Sequence, residues 1–286
     1  MRLAVANVQR FEDEHFIEWF SYYLIQGVDK FILRTHSMPG DEPSRAREWI
    51  LKLKQYYDID HEDITGYGLY DEFQKIMDGP RNDCDWMIWA DCDEYYFPIE
   101  KDTVKEVLLD YEDKPISALG VYWLFFGSSG LEYEPEILTK NFYRRSNFDY
   151  VSNHSMKSIV KGNRAGQILV TNPHVYTTEY ETYDLEGRVI PNYCGLNTAE
   201  YGCPSVITHN IMRINHYYCH SYDWFRRIKM RRGPGERPPE APGGTISDIH
   251  FFGHNKNEVY DDSMWAKYGE RILKTMAIVK NQLEIT

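Results

Sequence analysis

The chain has 286 residues and a formal net charge of −12; 42% of its residues are hydrophobic and 15% aromatic. That apolar content suffices for a substantial core and excludes a disordered chain. The acidic balance, with no basic stripe, excludes a nucleic-acid-binding role. A phosphorylated small molecule remains compatible, because a local metal can reverse the sign of a pocket.

Leu3 to Val8 is a short apolar run that predicts a first strand. EDEHFIEWFSYYLIQG follows, with Phe16, Phe20, Tyr23 and Leu24 at helical spacing, Glu12 and Asp13 placed for the first turn and Gly27 as the stop. Lys30 to Arg34 reads as a second strand. Pro43 opens a helix that carries Ala46, Trp49, Ile50 and Leu53 on one face. A third strand is expected within Tyr57 to Ile64, a helix over 68–78 and a fourth strand from Trp86 to Ala90. The alternation predicts βαβ units, hence an α/β fold with a mainly parallel central sheet flanked by helices.

Beyond residue 115 the pattern turns β-rich. ISALGVYWLFFGSSG, HSMKSIVKGN and QILVTNPHVY each read as strand. Ser221 is placed to cap a helix through Arg232 that Gly233 ends. GPGERPPEAPGG, residues 233–244, reads as a mobile loop able to order over a bound ligand, and Met264 to Leu283 as a final amphipathic helix. With no repeat and no clean linker, a single domain over 1–286 is expected. The five cysteines form no CxxC and suit free thiols in a reducing compartment. No run of 18 apolar residues occurs, and MRLAVANVQRF is too quickly polar for a signal peptide. These features predict a cytoplasmic protein without a transmembrane segment, for which peripheral association with a membrane is the closest contact with lipid.

WMIWADCDEYYFP sets Asp91, Asp93 and Glu94 at a strand end, where parallel sheets bind their ligands. Asp-x-Asp spacing lets two carboxylates converge on one divalent cation. Magnesium or manganese carrying a diphosphate is the usual guest; the plain alternative is an acidic surface turn. NHYYCHSYDWFRRIKMRRG holds His216 and His220 four residues apart. A zinc reading of that pair lacks a partner CxxC or HExxH, and a histidine packed at a strand end suits at least one of the two. Arg226, Arg227, Lys229, Arg231 and Arg232 are either a solvated helix face or the counter-charge for a diphosphate. FFGSSG at 125–130 lacks the spacing of a phosphate-binding loop; it either holds sugar hydroxyls or is an ordinary tight turn. No G-x-S-x-G elbow is present to make Ser128 or Ser129 a nucleophile.

Four stretches together resemble glycosyltransferase family 92 and its bacterial family 2-like relatives of the GT-A fold. They are EHFIEWFSYYLIQGVDKFIL (14–33), WMIWADCDEYYFP (86–98), GVYWLFFGSSG (120–130) with HSMKSIVKG (154–162), and INHYYCHSYDWFRRIKMRRG (214–233). The resemblance implies an inverting transfer of a sugar from a nucleotide-sugar donor, usually a UDP-sugar, to a glycan or other hydroxyl acceptor. Mn2+ or Mg2+ would sit at the Asp-x-Asp. Residues 1–115 would be the nucleotide-binding half and 116–286 the acceptor and metal-closing half. Asp91 would lie near the ribose and the metal, Asp93 would ligate it and His216 would close the metal–diphosphate site. Lys157, Lys229 and Arg232 would face the donor phosphates, and Asn7, Gln9, Arg10 and Thr35 would border the nucleobase.

Two departures fall on that last group. The chain has Asn7-Val8-Gln9-Arg10 where relatives commonly show Lys-Asn-Glu, and Thr35-His36-Ser37 where they often show Asp-Asn-x-Ser. An inverting transfer also needs a base for the acceptor proton. Glu132, Glu134, Asp149 and Asp223 are the candidates, with Glu132, just past the GSSG turn, preferred and Asp223 as the alternative. Two other classes share such features. One is a non-catalytic nucleotide- or carbohydrate-binding protein. The other is a sugar nucleotidyltransferase, whose usual glycine-rich basic loop is replaced here by NVQRFEDEH. A metal-dependent hydrolase fits less well, because no histidines cluster around the Asp-x-Asp in sequence.

Overall fold

The computed structural model describes residues 1–67, 69–162, 169–170, 174, 176–177, 181–190, 207–234, 239–240 and 243–285. Four parallel strands form its first half: β1 (Leu3–Gln9), β2 (Lys30–Ser37), β3 (Asp58–Thr65) and β4 (Trp86–Trp89). Helices α1 (Phe16–Ile25), α2 (Arg45–Leu53) and α3 (Leu69–Asp78) connect them in turn. The strands lie in the order β3-β2-β1-β4. The chain therefore steps outward on one side of β1 and then returns to its other side. That reversal opens a crevice at the carboxyl ends of β1 and β4, where ligands of such sheets bind.

The second half extends the same sheet. After β5 (Glu94–Pro98) and α4 (Val104–Leu109) come β6 (Ala118–Phe125), α5 (Leu138–Asn141), β7 (Arg144–Arg145) and β8 (Met156–Lys161). β8 inserts antiparallel between β4 and β6. The short strands β9 (Leu169–Val170) and β10 (Tyr176–Thr177) pair with each other, while β11 (Thr182–Asp184) and β12 (Val189–Ile190) continue the sheet beyond β6. β13 (Met212–His216) lies parallel to β6 and antiparallel to β5. Helix α6 (Tyr222–Trp224) runs through a π-helical turn, Phe225–Lys229, into α7 (Met230–Arg232). Then follow α8 (Asp248–His254), β14 (Val259–Tyr260), which pairs with β7, and the long α9 (Ser263–Leu283). The arrangement is Rossmann-like and compatible with the GT-A fold.

The two-residue period of β1 divides the core. Leu3 and Val5 join Phe16, Trp19, Ile50, Val107 and Ile272 on one face of the sheet. Ala4 and Ala6 join Leu69, Phe73 and Met77 of α3 on the other. Small alanines allow α3 to approach closely, and each fully buried large side chain stabilises the layer by roughly 1.5–3 kcal/mol.

Most expected elements are present within a few residues of their expected ends. Ser221 and Ser44 act as N-caps whose side chains accept from the N–H groups of Trp224 and Arg47. Glu12 and Asp13 do not lie in the first turn of α1. Asp13 instead accepts from the Ala46 N–H at 2.9 Å and the Ser44 hydroxyl at 2.8 Å, at the start of α2. Of the loop expected at 233–244, residues 235–238 and 241–242 are outside the described residues, as are Cys194 and Cys203. No described helix is long and apolar enough to cross a membrane.

Candidate active site

The turn after β4 is fixed by its surroundings before any of its side chains reaches a cavity. Asn7 Nδ2 donates to the Ala90 carbonyl at 2.7 Å, Trp19 Nε1 to that of Asp91 at 3.0 Å and the Tyr23 hydroxyl to that of Glu94 at 2.9 Å. The Tyr217 N–H donates to the Asp93 carbonyl at 2.8 Å. Asn7, Trp19 and Tyr23 are buried. A buried aromatic whose polar end finds a partner adds packing and position at once, so the aromatic helix FIEWFSYYLI serves as the brace of the site.

The three carboxylates then meet three different environments. Glu94 is fully buried; its Oε2 accepts from the Asp91 N–H at 2.9 Å and lies 3.3 Å from Lys157 Nζ. Burial pushes its carboxyl up to about 8. Asp91 has a side chain 48% exposed and accepts from Lys157 Nζ at 2.8 Å. Asp93 is buried, accepts from Lys229 Nζ at 2.7 Å and faces His216 Nε2 at 3.6 Å. Burial alone would raise the Asp93 carboxyl, but Lys229 and His216 hold it well below the carboxylate range. Burial lowers His216 despite the pull of Asp93. In Lys157 the same burial penalty is overcome by Asp91 and Glu94, so the ammonium stays charged. Lys229 also donates to the Tyr218 carbonyl at 2.8 Å and stands 3.6 Å from the centre of the Tyr218 ring.

Asp91, Asp93, Lys157, His216 and Lys229, but not Glu94, line a cavity of about 500 Å³ at the crevice between β1 and β4. That volume lies in the range of small-molecule sites. Val8, Arg10, Asp91 and Asp93 come from the strand ends, Lys157 and His216 from β8 and β13, and Lys229 and Arg232 from the cationic helix. Leu69, Phe73 and Trp89 supply an apolar wall. Trp123 and Phe125 pack against His216 with ring centres 4.4 and 4.8 Å away.

Of the expected donor-binding residues, Arg10, Asp91, Lys157, Lys229 and Arg232 line this cavity. Asn7, Gln9 and Thr35 do not. Successive residues of a strand point to opposite faces, and it is Val8 and Arg10 that face the cavity. Asn7 is spent on Ala90, and Gln9 is buried with neither amide atom partnered among the described residues. Thr35 faces a second cavity of about 310 Å³ that meets the first at His36, and its hydroxyl lies 2.9 Å from His61 Nε2. Arg10 grips Asp41 through Nε and Nη2 at 2.7 and 2.8 Å, and Arg232 pairs with Glu12.

None of the expected bases lines the cavity. Glu132 and Asp149 are exposed, and Asp223 pairs with Arg227 at 2.7 Å while its N–H donates to the Glu132 carbonyl at 3.0 Å. Among the described residues, the carboxylates that do line it are Glu12, Asp91 and Asp93. The FFGSSG turn proves to be architectural. Asn255 and Asn257 accept from the N–H groups of Ser128 and Ser129 at 2.7 and 2.8 Å, and a Cβ on Gly127 would lie 2.3 Å from the Lys256 carbonyl. Sequence reasoning missed the lining residues Trp123, Tyr218, His174 and His254, while His36 belongs to a stretch expected to border the nucleobase. The aromatic density of GVYWLFF was the available signal for Trp123.

Asp91, Asp93 and His216 are ligand types that a divalent cation accepts; Asp93 Oδ1 and His216 Nε2 lie 3.6 Å apart, but among the described residues the three do not bring their ligand atoms together as one converging group. Among the described residues this set is not closed on itself, because Lys157 and Lys229 each engage one carboxylate.

No family model matches the sequence, and no curated protein matches it. Among solved structures the chain is similar to S. aureus TarS 1-349, at 12% identity and a TM-score of 0.37, over 56% of this chain and 47% of that one. The chain thus spans about half the length of that structure. It is also similar to UDP-glucose pyrophosphorylase complexed with UDP-glucose, at 10% identity and a TM-score of 0.32, over 99% of each chain. Likeness at this level assigns no chemistry, which rests on the residues above.

Proposed function

We propose that this chain is a glycosyltransferase that binds a nucleotide-sugar, of the UDP-sugar class, in the 500 Å³ cavity and transfers its sugar to a hydroxyl of a glycan. The observation that carries the reading is the meeting of Asp91, Asp93, Lys157, Lys229 and His216 at the carboxyl ends of two parallel strands. Two carboxylates held by two buried ammonium groups form a site that recognises a diphosphate and a cation together, since each supplies what the other lacks.

Asp91, Asp93 and His216 would hold Mn2+ or Mg2+. Such an ion, when bound, supplies Lewis-acid stabilisation of the leaving diphosphate. Lys157 and Lys229 donate to phosphate oxygens, and Lys229 is aimed by the Tyr218 carbonyl and ring. Leu69, Phe73 and Trp89 exclude water from that side, and the aromatic rings of Phe73 and Trp89 would serve a base or sugar ring. Inversion requires a base on the acceptor side. Glu132 and Asp223 are joined by one backbone hydrogen bond outside the lining, so a base role for either requires that segment to close toward the mouth.

A thermal-shift panel of UDP-, GDP- and dTDP-sugars with and without manganese tests the binding step, because a ligand that binds only the native state raises its melting temperature. A manganese-dependent shift with one nucleotide class is expected, together with slow release of free sugar. A shift without turnover on any hydroxyl acceptor or water would favour a non-catalytic binding protein, a reading favoured by the absence of an unpaired carboxylate among the described lining residues. No shift with any nucleotide-sugar would end the proposal.

A further inference from the structure

Away from the cavity, three residues from distant segments meet in a buried box walled by aromatic rings. His15 precedes α1, Glu134 lies in the loop before α5, and His220 precedes the N-cap of α6. Glu134 Oε1 lies 2.5 Å from His15 Nε2 and 2.7 Å from His220 Nδ1, while its Oε2 accepts from the Ser221 N–H at 2.9 Å. All three side chains are nearly buried. Trp224 stacks on the His220 ring at 3.8 Å, and Phe142 meets it edge-on at 6.0 Å. His220 adopts φ +52, a left-handed conformation that costs a non-glycine residue of order 1 kcal/mol. That strain turns its ring toward Glu134.

A hydrogen-bonded tie explains the two short contacts and leaves a cost behind. Both imidazoles address one carboxylate oxygen, so three ligand atoms already converge on one point; the far nitrogens, His15 Nδ1 and His220 Nε2, are buried with no hydrogen-bond partner among the described residues and would stay so with an ion bound at the near ones. Burying a carboxylate and two imidazoles in an aromatic box is expensive unless a stronger partner is present. Two imidazole nitrogens and one carboxylate oxygen, all within 4.8 Å of one another, are the ligand types of a borderline divalent ion such as zinc.

We propose that His15, Glu134 and His220 form a zinc site distinct from the Asp91/Asp93 site, whose role is to fasten α1, the loop before α5 and the cationic helix together. Ligands about 2.0 Å from a tetrahedral ion stand about 3.3 Å apart, so entry of the ion needs the two rings to back away from Glu134 by less than about 1 Å, and a water would take the fourth position that the three side chains leave. The ion would anchor Ser221, the cap of the helix that carries Lys229, and so hold that lysine on Asp93. Nitrogen-rich ligation separates this site from the carboxylate-dominated one, which favours manganese or magnesium.

The test uses the full chain, stripped with chelator and titrated with zinc alone, with bound metal counted by elemental mass spectrometry. One tightly held zinc per chain is expected, retained in Asp93→Asn and weakened more than about 10-fold in Glu134→Gln, the lower end for losing even a supporting contact of a metal site. Cobalt(II) in the wild-type chain gives a readout that needs no variant. A tetrahedral nitrogen–oxygen spectrum supports the site, and a thiolate charge-transfer band would assign the metal to cysteines and overturn it. Equal zinc content in the wild-type and Glu134→Gln chains, or none in the wild type, would reduce the trio to a hydrogen-bonded tie. Loss of zinc in Asp93→Asn alone would place the ion at the other site.

Discussion

Replacing Lys229 with methionine keeps the length of the side chain and removes its charge, and so isolates what the ammonium does for Asp93. The two side chains are only 4% and 6% exposed and meet at 2.7 Å. Lys229→Met leaves Asp93 as a buried carboxylate with His216 at 3.6 Å as its remaining ion-pair partner among the described residues. It also removes the bond to the Tyr218 carbonyl and the cation over the Tyr218 ring. Removing one partner of a buried pair typically costs about 3–5 kcal/mol, which for a chain of this size lowers the melting temperature by roughly 10 °C. Manganese should then restore more stability to the variant than it adds to the wild type, because the ion replaces a missing counter-charge. Differential scanning calorimetry with and without manganese measures both effects. A loss below about 1 kcal/mol, the range of an exposed pair, would refute the buried-pair reasoning. An equal manganese effect in the two proteins would refute the orientation of Asp93 toward a cation.

Three further outcomes follow from the packing. Gly162→Ala places a Cβ 1.5 Å from the Cys84 carbonyl, so the variant should lose at least about 3 kcal/mol in urea unfolding, at the top of the overpacking range; an unchanged midpoint would contradict the register of β8 against β4. Asp261 bridges Arg145 and Arg213 at 2.7 and 2.9 Å and, although burial opposes it, these arginines hold its carboxyl below the ordinary value. Its folded pKa is depressed, so its stabilisation is present above the unfolded pKa of about 4 and lost as pH falls through the folded value. The stability gap between wild type and Asp261→Asn should therefore be largest near neutrality and narrow in acid, and a gap that widens in acid would reverse the assignment. Burial raises the Cys84 thiol to about 11 and the Cys219 thiol to about 12, and holds Cys92 well above its usual value. Peptide mapping after alkylation at about pH 8 should find all three unmodified in the native protein and modified once it is unfolded; native labelling of Cys92 would mean that the Asp91–Asp93 turn opens.

The first half of the fold was legible because its apolar runs and helical spacings are local. Leu3 to Val8, Trp86 to Ala90 and the Ala46-Ile50-Leu53 face all declare themselves within a dozen residues. The placing of Asp91, Asp93 and His216 followed from strand ends, and Lys157, Lys229 and Arg232 from the family resemblance. What sequence could not supply was register. Asn7 and Gln9 were expected beside the nucleobase, but the pleat turns Val8 and Arg10 into the cavity instead. The antiparallel insertion of β8 between β4 and β6 is a long-range pairing with no local signal, yet it is what delivers Lys157 to Asp91. Glu94 read as a third ligand-like carboxylate, whereas it turns inward to close its own turn. His220 lies apart from the cavity that His216 lines. Its partners, His15 and Glu134, come from segments 205 and 86 residues away, and no spacing rule joins them.

The central claim is that Asp93 and its lysine hold a cation and a nucleotide diphosphate together, and titration calorimetry of UDP into the wild-type chain and Asp93→Asn, each in manganese and in chelator, tests it most directly. The account predicts that manganese tightens UDP binding to the wild type by at least about 10-fold and has little effect on the variant. Equal affinity in manganese and chelator for the wild type, or an undiminished manganese effect in Asp93→Asn, would contradict it.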